Sequence, residues 1–281
     1  MNIIQLALVS QTPRITLGQL LPVVAALQKQ ITRDFTPFWK KKAIISAFEN
    51  LNQIPLGYWP IIIRDDINEP GAAGYHDSTN HQPFALVQYS PSWSLTVSHE
   101  MLEMLADPYG NKLKVARSIK AGQGKVQYLV EICDPSEDAQ FAYDIQGVLV
   151  SDFYTPAYFD KLKVAGKRYS FTGAIQEPLQ VLPGGYLSWL EPVSDTWWQA
   201  LFFGQNMVFK ALPAMKKLKE GSLRSRIDSL TNSPLLAQGI EDHSILTRAI
   251  GNAEAAQTTQ SATANYWEQE VEKVMKKYAK K

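Results

Sequence analysis

Short apolar runs alternate with one long amphipathic stretch over the first hundred positions. Residues 2–9 (NIIQLALV) form a short, branched, apolar run that predicts a buried strand. Behind Thr16, a good capping residue, leucines and valines recur at helical spacing over residues 17–34. Residues 42–48, 60–64 (PIIIR) and 84–89 (FALVQY) predict three more strands. Between the last two, residues 65–80 carry Asp-Asp, Pro-Gly, Gly-Ala-Ala-Gly and His-Asp, the vocabulary of a loop. A helix follows over residues 95–106 and is stopped by Pro108 and Gly110.

Farther on, residues 126–133 and 143–153 alternate like the arms of a β-hairpin, with 134–142 as the connection. Residues 169–189 predict irregular β structure. Near Thr196 the composition shifts. Trp197, Trp198, Phe202, Phe203 and Phe209 predict an aromatic helical stretch, and a last helix is expected over residues 264–280. The expected fold is therefore α+β: a mixed sheet with helices against it, then a β-hairpin region, then a helical C-terminal extension. The expected division is a main domain, 1–195, and an extension, 196–281, that serves packing or an oligomer or assembly contact.

Composition narrows the functional classes. With 28 basic and 27 acidic residues in 281, the net charge of +1 argues against nucleic-acid binding through bulk electrostatics. Five of the lysines gather at Lys273, Lys276, Lys277, Lys280 and Lys281, which suits a solvated helix. Cys133 is the one cysteine, so neither an intrachain disulfide nor a thiolate zinc cluster can form. No apolar run approaches the ~18 residues that span a bilayer. The first 21 residues are apolar but broken by Gln5, Gln11, Pro13 and Arg14, and lack the basic region and the uninterrupted apolar region of a signal peptide, which gives the cytoplasm as the expected location, with signal-less export left open.

The chemistry concentrates in residues 98–107, SHEMLEMLAD. His99 and Glu103 are four positions apart, so both project from one face of the predicted helix. Imidazole and carboxylate are both ligands of catalytic zinc sites that keep one position for water. Met101, Leu102, Met104 and Leu105 give the helix an apolar face for the sheet. Asp107 lies four positions beyond Glu103 and can reach the same face. Other candidates are Glu131, which interrupts an apolar strand, Asp134, which closes it before a proline, and His76 in the glycine-rich loop. Each has a plainer alternative: His99 bonded to backbone, Glu131 paired with Lys125, Asp134 in a simple turn, Asp107 satisfying local backbone.

The SHEMLEMLAD segment resembles the H-E-x-x-H active-site helix of the zincin superfamily of metallopeptidases, with Glu103 at the second histidine position. The layout before it is also similar to metzincin-like peptidases, where a loop and a cleft-lining edge strand precede the helix: here Gly74-Tyr75-His76-Asp77, then residues 84–89, then His99. The likeness covers roughly residues 60–107. It implies His99 as first ligand and Glu100 as general base, with zinc as the metal and a peptide or protein as substrate lying along residues 84–89. The metzincin glycine and third histidine are missing, so a third ligand is expected from Glu131, Asp134 or Asp107. Glu103 in place of an imidazole makes the first shell more negative, which weakens a zinc ion's Lewis acidity and opens the site to other divalent metals. The expected function is a metal-dependent peptidase or hydrolase. The alternative is a zincin-like scaffold without catalysis, a structural or binding module of a phage or secretion assembly, holding calcium or no metal.

Overall fold

Leu6, Ala7, Leu8 and Val9 are fully buried on both sides of their strand, which places that strand in the middle of a sheet. A computed structural model describes residues 3–69, 71–213 and 222–231. In chain order the elements begin with β1 (Ile4–Ser10), α1 (Leu17–Lys29), α2 (Thr36–Trp39), β2 (Ala43–Phe48) and β3 (Trp59–Arg64). There follow β4 (Gly74–Thr79), β5 (Gln82–Gln88), α3 (Trp93–Ala106), β6 (Leu113–Arg117) and β7 (Lys125–Leu129). The remainder are β8 (Tyr143–Ile145), β9 (Val148–Val150), β10 (Tyr186–Glu191), β11 (Thr196–Leu201), β12 (Val208–Ala211) and α4 (Leu223–Thr231). The architecture is mixed α/β, with several sheets and few helices.

The first sheet has the order β2-β1-β3-β5-β4. β1 pairs in parallel with β2 and β3, and β3 in parallel with β5. β4 runs antiparallel to β5 and forms one edge. The loop expected over residues 65–80 thus contains a strand, and residues 84–89 lie inside the sheet rather than at its edge. The cause is local. Gly74, His76, Asp77 and Ser78 read as loop residues, yet an edge strand tolerates polar side chains because one of its sides has no neighbour.

The second sheet is antiparallel, in the order β12-β11-β10-β7-β6. Here two expectations fail. β7 pairs with β6 and β10, so the hairpin between residues 126–133 and 143–153 does not form; β8 and β9 pair with each other instead. The aromatic stretch after Thr196 is not helical but supplies β11 and β12. Neighbouring tryptophans reveal the period of two: Trp197 joins a small cluster with Leu129, Leu212 and Ile227, whereas Trp198 packs against the main core. The pairing of Glu191 with Thr196 carries the sheet across position 195, so no boundary falls there. The expected helix at 264–280 and the terminal lysines lie outside the described residues.

The helix expected over residues 17–34 is α1 continued by a wider π-helical turn, Gln30–Phe35. That turn aims the buried Gln30 at α3. Ser98 Oγ donates to Gln30 Oε1 at 2.8 Å and accepts from the Ser151 backbone N–H at 2.9 Å, while Gln30 Nε2 donates to the Ser151 carbonyl at 3.0 Å. This closed set fixes α3 against α1 and the strand end after β9. Ser98→Ala leaves a buried amide and a buried carbonyl unpaired, and is expected to lower stability by about 1–3 kcal/mol in denaturant titration.

Candidate metal centre

Helix α3 carries the site on the face opposite its apolar one. His99, Glu100 and Glu103 project from it toward the segment that leaves β7, Glu131 to Asp134, and toward the edge strand β4. Glu100, Glu103, Glu131, Asp134 and His76 are all buried, and the His99 side chain is 13% exposed. β4 crosses close over the helix. A Cβ at Gly74 would stand 2.8 Å from Thr96 Cγ2 and 2.9 Å from Glu100 Cγ, so this crossing needs glycine.

Glu103 is the hub. Its Oε1 accepts from the Cys133 backbone N–H at 3.0 Å. Its Oε2 lies 3.4 Å from His99 Nε2, 3.9 Å from His76 Nδ1 and 3.8 Å from Arg224 Nη1. His99 Nε2 also stands 3.3 Å from Asp134 Oδ1. Tetrahedral zinc with bonds of about 2.0–2.1 Å needs ligand atoms about 3.3 Å apart, and both of these separations fit. Glu137 reaches the same corner: ligand atoms of His99, Asp134 and Glu137 lie within 4.8 Å of one another.

His76 stands on the other side of Glu103. Its Nε2 is 3.2 Å from the Asp107 carbonyl, which can only accept, so Nε2 carries a hydrogen. Nδ1 then faces Glu100 Oε2 at 3.5 Å. The fourth partner is Arg224 on α4. Nη1 lies 2.8 Å from Glu131 Oε2 and 3.0 Å from Asp134 Oδ2, and Nη2 donates to the Tyr186 hydroxyl at 2.9 Å.

Of the expected ligands, His99, Glu103 and Asp134 come together. Glu131 lies in the same cluster but faces Arg224 instead of Lys125. Asp107 does not join: its carboxylate accepts from the Lys112 backbone N–H at 2.6 Å and serves the turn after α3. Glu137 and Arg224 were not legible. Glu137 sits just beyond the Asp134-Pro135 turn, whereas Arg224, 90 residues past Asp134, gives no local signal at all.

The electrostatics are crowded. Burial pushes His99 down, but Glu103 and Asp134 outweigh it and hold the imidazole well above its ordinary value. His76 is likewise pushed down by burial and raised overall by Glu100 and Glu103. Burial favours the neutral form of Glu103, yet His99 and Arg224 hold its carboxyl well below the usual carboxylate range. Burial wins at Glu131, which sits well above that range despite Arg224, and at Asp134, which is also raised. His76 Nδ1, Glu100 Oε2, Glu103 Oε2, Glu131 Oε1 and Asp134 Oδ1 are buried and make no hydrogen bond among the described residues. Five buried atoms without a hydrogen bond call for a cation, for protons or for water.

No protein-family model, curated protein or solved structure matches this chain.

Proposed function

We propose that the chain is a metal-dependent hydrolase of peptide bonds, with His99, Glu103 and Asp134 holding one divalent ion and zinc the first expectation. The observation that carries this reading is the pair of separations, 3.4 and 3.3 Å, from His99 Nε2 to the otherwise unbonded Glu103 Oε2 and Asp134 Oδ1. When bound, such an ion polarises a water and a carbonyl as a Lewis acid. Glu103 is pre-set for a ligand role: the Cys133 amide fixes one oxygen and leaves the other free. Glu100, one position round the helix from His99, accepts a proton from the attacking water and returns it to the leaving amine.

The five-stranded mixed sheet, with an antiparallel edge strand crossing the helix of the H-E-x-x-E string, supports a zincin-like placement of that helix. In this reading an extended substrate adds to the free edge of β4, taking the part first expected of residues 84–89. Among the described residues no helix is long and apolar enough to cross a membrane.

A second reading, a non-catalytic binding or structural module, is favoured by one observation. Arg224 already neutralises the acidic half of the cluster, and α4 covers that side. Metal content separates the two. Wild type offered zinc should retain close to one ion per chain by elemental analysis, and His99→Ala should retain almost none. Zinc-free wild type would leave the module as the surviving reading.

A further inference from the structure

Arg224 occupies a place chemically equivalent to a metal position. Glu103, Glu131 and Asp134 offer oxygens that lie within 4.8 Å of one another, the spacing of a carboxylate-bound cation. Arg224 Nη1 stands among them, at 2.8 Å from Glu131, 3.0 Å from Asp134 and 3.8 Å from Glu103. The seat is built rather than casual. Arg224 Nε donates to Asp228 at 2.9 Å, and the Arg224 backbone N–H donates to the Gly110 carbonyl at 3.0 Å. Gly110 has φ +57°, and a Cβ there would stand 2.9 Å from Arg224 Cβ, so only glycine lets the first turn of α4 dock.

Buried charge must be matched locally. Glu100, Glu103, Glu131 and Asp134 are four buried carboxyl groups. One divalent ion at His99, Glu103 and Asp134 would supply two positive charges, and Arg224 supplies a third, facing the other oxygen of Asp134. Among the described residues Arg224 is the one cation that faces Glu131, whose Oε1 is buried and makes no hydrogen bond. Carboxylate oxygens of this kind suit manganese or zinc in a two-ion centre bridged by shared carboxylates.

We infer that Arg224 stands in for a second metal ion and thereby holds this centre to one divalent cation. The inference rests on the proposed metal reading of His99, Glu103 and Asp134, but the two fail separately.

The test uses the full chain, wild type beside Arg224→Met and Arg224→Lys, dialysed against zinc and measured by elemental analysis. Wild type and Arg224→Lys should retain about one ion per chain and Arg224→Met about two. With manganese, the Met variant alone should give the exchange-coupled paramagnetic resonance spectrum of two neighbouring ions. Should Arg224→Met not fold, Arg224→Gln, which keeps an amide donor for Tyr186, carries the same expectation. A folded neutral variant that holds no more ions than wild type, or a wild type with two, overturns the inference. Wild type with none and the Met variant with one would uphold the role of Arg224 while refuting the hydrolase reading.

Discussion

Glu103→Ala is expected to lower the stability of the metal-free protein by about 3–5 kcal/mol and to abolish zinc retention. The size follows from what the side chain faces. Glu103 is wholly buried, and the Cys133 amide that donates to it would lose its acceptor in a place water does not reach. The Arg224 guanidinium and the His99 and His76 imidazoles, cationic when protonated, stand within 3.4 to 3.9 Å of its other oxygen. Removing one partner of a buried ion pair leaves the others uncompensated, which costs far more than an exposed pair ever contributes.

Neighbouring carboxylates give the contrast. Glu103 is held well below the usual carboxylate range, so its surroundings favour its charge; Glu131 is held well above, so its surroundings resist it. Glu131→Gln, which keeps an oxygen to accept from Arg224, should therefore cost less stability than Glu103→Ala. Denaturant titration of both variants checks the ordering. Equal losses would mean that the cluster acts as an undifferentiated acidic patch and that Glu103 is not its hub.

Why some of this was legible and some was not comes down to range along the chain. The segment around His99 could be read because helix period and ligand spacing are both local: positions i and i+4 share a face whatever the rest of the fold does. The strands β1 and β3 could be read because a sheet centre demands unbroken apolar runs. β4 could not, since an edge strand is released from that demand and Gly74, His76 and Asp77 look like turn residues. The strands β11 and β12 escape a local reading because aromatic residues at mixed spacing fit either period until their partners are known: β11 pairs with β10, and β12 with β11. Asp134 and Glu131 stand out in the sequence as oddly placed acids, but what separates them is Arg224, whose approach is set by α4 docking at Gly110. No pattern within a window of the sequence contains that contact.

Glu100→Gln is the complementary experiment, because it separates acting from holding. The glutamate is pinned: β4 passes so close at Gly74 that an added Cβ would stand 3.0 Å from Glu100 Oε1, and His76 Nδ1 faces Oε2 at 3.5 Å. Glutamine has the same shape and fills the same space, so fold, melting temperature and zinc content should stay close to wild type. What is lost is the capacity to take up a proton. A positioned general base contributes about 10²–10⁴-fold, and a fall of that size is expected in kcat/KM on a quenched fluorescent peptide library. Glu103→Ala would abolish turnover by releasing the ion, whereas Glu100→Gln would abolish it with the ion in place. Undiminished hydrolysis by a zinc-loaded Glu100→Gln protein would remove Glu100 from the mechanism. The pairing of Glu100 with His76 would then be structural, a buried acid held against an edge-strand histidine to fix β4 over the helix.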